Sequence, residues 1–225
     1  MPAMSGRLIT FEGGEGAGKS TQVARLRRRI RGSGCEVVTT REPGGSDRAE
    51  TIRTALLAGR VKRFGPFAEA LLFASARADH MRETVAPAIA RGECVICDRF
   101  IDSTRVYQGD LGAVAAPLVR ALERVSTDGR LPDLTVILDV PAKLGLARAQ
   151  QRRTLAGDAA DRFEEEGPDY HRRVREAFLR IAEAEPARCI VVDASGTPEA
   201  VEAAIWRAVD ERLIRAAPAR PRHVR

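Results

Sequence analysis

Eight consecutive residues, Gly13-Gly14-Glu15-Gly16-Ala17-Gly18-Lys19-Ser20, fit the pattern G-x-x-x-x-G-K-[ST] and follow the short apolar run Leu8-Ile9-Thr10-Phe11. In such a loop the glycines let backbone N–H groups turn inward around a polyphosphate. The lysine reaches the β and γ phosphates, and the hydroxyl joins the shell of Mg²⁺. The pattern has this meaning only between a strand and a helix. Residues 8–11 supply the one and the helical pattern of residues 20–31 the other. The expected nucleotide contacts are Gly13, Gly14, Glu15, Gly16, Ala17, Gly18, Lys19, Ser20 and Thr21, with Ser20 toward the metal.

The strand–loop–helix unit is one of a series. Short β-branched runs at residues 8–11, 36–39, 94–97, 134–138 and 189–192 read as strands buried on both faces. Helical patterns lie between and after them, at residues 20–31, 47–57, 66–90, 115–126, 143–151, 168–184 and 198–212. This alternation predicts an α/β fold, a five-stranded parallel sheet flanked by helices. With 225 residues, 44% of them hydrophobic, the chain can bury one sizeable core. The expected division is a tail over residues 1–6, a single domain over residues 7–214 and a basic disordered tail over residues 215–225.

No apolar run approaches the ~20 residues that span a bilayer, and the N-terminus lacks the features of a secretory signal. The expected compartment is the cytoplasm, where cysteines stay reduced. Cys94 and Cys97 form a C-x-x-C, but residues three apart on a strand face opposite ways, and no second pair or paired histidines complete a zinc site. The three histidines, His80, His171 and His223, are scattered and read as surface or satisfied residues. The formal charge of +6 falls to +2 without the four arginines from position 215 onward. That distribution reads as a solvated tail and argues against a nucleic-acid partner.

In a doubly wound sheet, ligands bind beyond the carboxyl ends of the strands. Polar residues collect there: Glu12, then Arg41-Glu42-Pro43-Gly44-Gly45, Asp98-Arg99, Asp139 and Asp193. Asp98 is placed to order the metal shell, directly or through water. Asp139 and Asp193 read equally as site residues or as caps of turns and helices. Residues 151–163 break the helical pattern and carry three arginines, Arg152, Arg153 and Arg162. They read either as a solvated face or as a mobile lid, about residues 150–166, closing over transferred charge.

Four segments together, residues 13–20, Thr40-Arg41-Glu42-Pro43-Gly44-Gly45, Asp98-Arg99-Phe100 and Ser103-Thr104-Arg105-Val106-Tyr107-Gln108-Gly109, resemble the bacterial thymidylate kinases in order and spacing. The resemblance covers roughly residues 7–206. It implies a P-loop kinase fold, ATP and Mg²⁺ as cofactors, thymidine monophosphate as acceptor and a homodimer packed through residues 66–90. Phe73 matches the aromatic that stacks on thymine, and Arg77 the arginine that bonds the base. By themselves these two residues read as ordinary core and a surface charge. Thr104 and Gln108 match positions reading the remaining base edge, and Tyr107 the residue beneath the deoxyribose. Glu15 matches the loop acid that takes the sugar 3′-hydroxyl and approaches the metal. Arg41 and Arg99 match clamps on the acceptor phosphate, and Arg148 a residue facing the adenine. Asp161 and Glu164 resemble acids that anchor the closed lid.

The phosphate loop contains no arginine. The resemblance therefore assigns the transition-state charge to the lid, among Arg152, Arg153 and Arg162, beside Lys19 and Arg99 as catalytic groups. Two other readings remain open from the residues. One is a kinase for another pyrimidine nucleoside monophosphate; the other is a nucleotide-dependent switch or ATPase whose tail contacts nucleic acid.

Overall fold

The computed structural model describes residues 4–156 and 166–215. Arg162, Asp161 and Glu164, residues 1–3 and the tail from residue 216 lie outside the described residues. Five strands, β1 (Leu8–Glu12), β2 (Val37–Arg41), β3 (Cys94–Asp98), β4 (Leu134–Asp139) and β5 (Cys189–Asp193), form one sheet in the order β2-β3-β1-β4-β5. Every pairing is parallel, and Phe11, Arg41 and Asp98 come into register at the carboxyl edge.

The helices are α1 (Lys19–Gly32), α2 (Asp47–Leu57), α3 (Gly65–His80), α4 (Ala86–Ala90), α5 (Ile101–Thr104), α6 (Ala116–Thr127), α7 (Ala142–Ala156), α8 (Pro168–Ala184) and α9 (Pro198–Val209). Three central strands are buried along nearly their whole length, as their continuous apolar runs require. The edge strands differ from the expectation of burial on both faces. Residues 38–41 of β2 and residues 190, 191 and 193 of β5 are partly or wholly exposed, because each strand has a neighbour on one side only.

Alternation along the strands divides the core between two faces. Ile9, Phe11, Cys94 and Ile96 pack with Leu26 and Ile30 of α1 and Ile205 of α9. Leu8, Val95 and Cys97 pack with Val85, Phe100 and Ile101 on the other side. Cys94 and Cys97 thus face opposite ways, and all four cysteines are free and buried. Burial pushes the Cys94 thiol up to about 12, so it behaves as a small apolar side chain. Met4 also packs into the core.

Three helical boundaries depart from the pattern reading. The expected helix 66–90 is interrupted by a π turn, Met81–Val85, before α4. Pro87 is the cause: without an N–H it cannot donate one turn back, and its ring crowds that carbonyl. The second departure is α7, which continues to Ala156 instead of ending at residue 151. No breaker precedes Gly157, and Arg, Leu and Ala are good helix formers. Arg152 and Arg153 therefore sit on a helix and not in a loop. The third is a segment absent from the pattern reading, α5 followed by a π turn over Arg105–Asp110. It holds Thr104, Tyr107 and Gln108 on one continuous helical stretch.

Candidate active site

β1 ends in Glu12, and the chain turns through Gly13 to Gly18 into α1. Gly16 has a φ of +66°, and a Cβ there would lie 1.9 Å from the carbonyl oxygen of Gly145. Reciprocally, a Cβ on Gly145 would lie 2.4 Å from the carbonyl of Glu15. The loop thus rests on the first turns of α7, the helix that carries Arg152. Lys19 Nζ donates to the carbonyls of Gly13 (3.0 Å) and Gly14 (2.9 Å), folding its side chain back over the loop. Burial, then the nearby Arg99, lowers its pKa.

Ser20 Oγ donates to Asp98 Oδ2 at 2.8 Å. A hydroxyl and a carboxylate together are hard oxygen donors suited to Mg²⁺, which takes one or two protein oxygens and fills its octahedron with phosphates and water. Among the described residues no group of three or more His, Cys, Asp or Glu could hold a metal alone. The donor set fits an ion that arrives with a nucleotide.

Arg99 follows Asp98 with φ of 67°, a left-handed conformation costing a non-glycine residue about 1–3 kcal/mol. Its Nη2 donates to Glu15 Oε1 at 2.6 Å, and its Nη1 lies 3.3 Å from Ser103 Oγ and from Tyr107 Oη. Burial acts to raise the pKa of Glu15, but the charges of Arg99, Lys19, Arg152 and His171 hold it down to about 2. Glu15 is therefore an anion at any physiological pH. Burial pushes the Tyr107 hydroxyl the other way, upward.

Glu42, directly after β2, lines the cavity and organises a buried polar cluster. Its Oε2 accepts from Arg77 Nε at 2.7 Å, and its Oε1 lies 3.0 Å from His80 Nδ1. Arg77 Nη2 donates to Thr104 Oγ1 at 2.8 Å, and His80 Nε2 faces the Thr40 hydroxyl at 2.7 Å. Arg77 is only 2% exposed, so the surface-charge reading does not hold. Gly45 makes room for the cluster: a Cβ there would lie 2.5 Å from His80 Nε2 and 2.4 Å from Thr40 Oγ1. Nearby, Gln108 Nε2 donates to the buried Glu69 at 3.0 Å.

These parts surround one cavity of about 590 Å³. The structure brings Glu15, Gly16, Ala17, Gly18, Lys19, Ser20 and Thr21 to its walls together with Phe73, Arg77, Thr104, Tyr107 and Gln108, and with Arg41, Asp98, Arg99 and Arg152. Gly13, Gly14, Arg148 and Arg153 are not on those walls. Arg148 instead donates to the carbonyls of Ala194 (2.7 Å) and Ser195 (2.9 Å) after β5. The two open carboxylates are engaged structurally: Arg175 bonds both oxygens of Asp139, and Asp193 accepts from Ser195 N. The sequence places Glu42 and Pro43 at the ligand-binding edge without an individual role and gives no cavity role to Arg53, Leu57, Phe100 or Ser103, all of which line it. The sequence signal for Glu42 is its place just past the carboxyl end of β2, the edge where ligands bind in a parallel sheet.

A phosphate loop opening α1 at the carboxyl edge of a parallel five-stranded sheet, with a second cluster at the same edge, defines a P-loop kinase fold. Comparison with known proteins narrows this class. The Thymidylate kinase family model matches residues 11–205, and the chain belongs to that family. A thymidylate kinase of Rhodopseudomonas palustris is 55% identical over 213 residues, covering 94% of this chain and 92% of its own. One of Bradyrhizobium sp. is 51% identical over 211 residues, with the same coverage. The crystal structure of thymidylate kinase from Ehrlichia chaffeensis superposes with a TM-score of 0.71 at 30% identity, over 90% of this chain and 98% of that one.

Proposed function

We propose that this protein transfers the γ-phosphoryl group of ATP to thymidine 5′-monophosphate, giving ADP and thymidine 5′-diphosphate. One observation carries the reading: a single cavity joins the phosphate loop to the cluster built on Phe73, Arg77, Thr104 and Gln108. The acceptor oxygen belongs to an ionised phosphate, so no general base is required. The protein's work is positioning and charge neutralisation.

Lys19 and the loop amides hold the β and γ phosphates. Ser20 and Asp98 hold Mg²⁺, which when bound neutralises charge on the donor phosphates. Arg99 and Arg41 receive the acceptor phosphate. Arg41 Nη2 now lies 3.2 Å from Glu50 Oε2, at an exposed pair that a phosphate can displace. Phe73 stacks on the pyrimidine while Arg77, fixed by Glu42, presents its guanidinium to the base edge. Glu15, kept anionic, accepts from the sugar 3′-hydroxyl.

A coupled assay of ADP release across nucleoside monophosphates tests the reading. Activity is expected with thymidine monophosphate and only weakly with ribonucleotides; no dependence on thymidine monophosphate would refute it. A kinase for another pyrimidine monophosphate is the outcome that a different ranking of acceptors would establish.

The working species is proposed to be a cytoplasmic homodimer. Phe67 and Leu71, one turn apart on α3, are 45% and 40% exposed, and Phe64 before them and Leu118 on α6 extend the apolar face. Sedimentation is expected to give twice the chain mass, and charged residues at both Phe67 and Leu71 to give a monomer. No described helix is long and apolar enough to cross a membrane.

A further inference from the structure

Glu12 is wholly buried at the end of β1 and has no place in the phosphate loop or the metal pair. Its Oε1 accepts from Phe100 N (2.7 Å) and Ser103 N (3.2 Å), and its Oε2 accepts from Ser103 Oγ (2.7 Å). Immediately before these donors stands Arg99, in its left-handed conformation. Arg99 N donates to the carbonyl of Phe11 at 2.9 Å. The end of β1 therefore grips residue 99 from both sides, by the Phe11 carbonyl before it and the Glu12 carboxylate after it. A third link reaches the side chain: Ser103 Oγ, bonded to Glu12, also accepts from Arg99 Nη1 at 3.3 Å.

We infer that Glu12 is the positioning residue of Arg99, fixing both its strained backbone and, through Ser103, the direction of its guanidinium into the cavity. The inference deepens the kinase reading and rests on it for the claim that Arg99 meets the acceptor phosphate. Glu12 itself touches no substrate.

The charge on Glu12 separates this role from mere packing. Burial, reinforced by the charge of Asp102, raises its carboxyl to about 7. The groups facing it are Asp102 from α5, Arg99 and the Cys97 thiol from β3 and its following turn, and Lys19 from α1. Above about pH 7 the carboxylate is a charged acceptor for three donors; below it, protonation weakens that grip and removes a counter-charge from Arg99. Acceptor binding should then weaken as pH falls through 7. The substrate phosphate titrates near pH 6 as well, so the comparison with Glu12→Gln isolates the part due to the protein.

The experiment uses the full chain, as wild type, Glu12→Gln and Ser103→Ala. It measures kcat and the KM for thymidine monophosphate from about pH 6 to about pH 8.5, together with the Nε–Hε NMR signal of Arg99 in the free protein. Glu12→Gln is expected to raise KM about 10-fold at the alkaline end, as loss of charge-assisted hydrogen bonds implies, with kcat within about 3-fold. Its KM should depend less on pH than that of the wild type, and its Arg99 signal should shift or broaden. Ser103→Ala should raise KM about 3-fold by removing the side-chain link alone.

A folded Glu12→Gln protein with wild-type KM, pH dependence and Arg99 signal overturns the inference. If that variant does not fold, an unchanged KM and Arg99 signal in Ser103→Ala overturns it. If the wild type fails to phosphorylate thymidine monophosphate, the functional reading falls, and the Arg99 signal alone decides whether Glu12 positions it.

Discussion

Alanine at Arg152 is expected to lower kcat by about 10³-fold while changing the KM of either nucleotide by no more than about 3-fold. The phosphate loop carries no arginine, so charge on the moving phosphoryl group must be met from elsewhere. Arg99 is held by Glu15, Ser103 and Tyr107, and the exposed Arg41 pairs with Glu50. Arg152 reaches the cavity wall from the end of α7 and contributes to holding Glu15 anionic. Its helix is braced against the loop where Gly16 meets Gly145, which fixes the position of Arg152 relative to the phosphate loop. Arg153, on the same turn, is not on the cavity wall, and Arg153→Ala is expected to cost about 10-fold or less. Steady-state kinetics on the two single variants checks this. A large loss from Arg153→Ala with an unchanged Arg152→Ala would reverse the assignment.

Position on the helix separates these two arginines, and the sequence did not show it. Charge and glycine taken over the whole of residues 151–163 suggest a break in the helix, whereas α7 continues to Ala156 and the glycine comes only at position 157. Where a signal is local, the reading matched the fold: the strand–loop–helix unit at residues 8–31 and the five apolar runs became β1, α1 and the rest of the sheet. Local patterns say nothing of a strand's neighbours, so the half-exposure of β2 and β5 was missed. The same limit applied to the site. Arg77 and Glu42 are 35 positions apart, and alone the first reads as a surface charge and the second as one more polar residue at the sheet edge; only the approach of α3 to the end of β2 pairs them. The segment Ile101–Asp110 gave a family motif but no helical period, since α5 spans four residues before the π turn. A spacing rule based on 3.6 residues per turn does not detect a π turn.

The paired groups lining the cavity carry the second large effect, on stability. Glu42→Ala is expected to destabilise the protein by about 3–5 kcal/mol, because it leaves the guanidinium of Arg77 buried without its carboxylate. At roughly 2–4 °C per kcal/mol for a domain of this size, the melting temperature should fall by about 10 °C. His80, also buried, loses its Nδ1 partner at the same time. Arg77 would keep Thr104 and the Phe100 carbonyl, both held through a single nitrogen, Nη2. With Nε released, its guanidinium can rotate, and the KM for thymidine monophosphate should rise about 10-fold, the effect of losing a charge-assisted bond that orients the contact. Glu42→Gln keeps an acceptor for Arg77 but not the charge, so it should fall between wild type and alanine in both measures. Calorimetry and steady-state kinetics on the two variants read these effects separately. A fall of less than about 3 °C for alanine would mean that water or a shift of α3 solvates Arg77, and the cluster would then serve the base contact without supporting the fold.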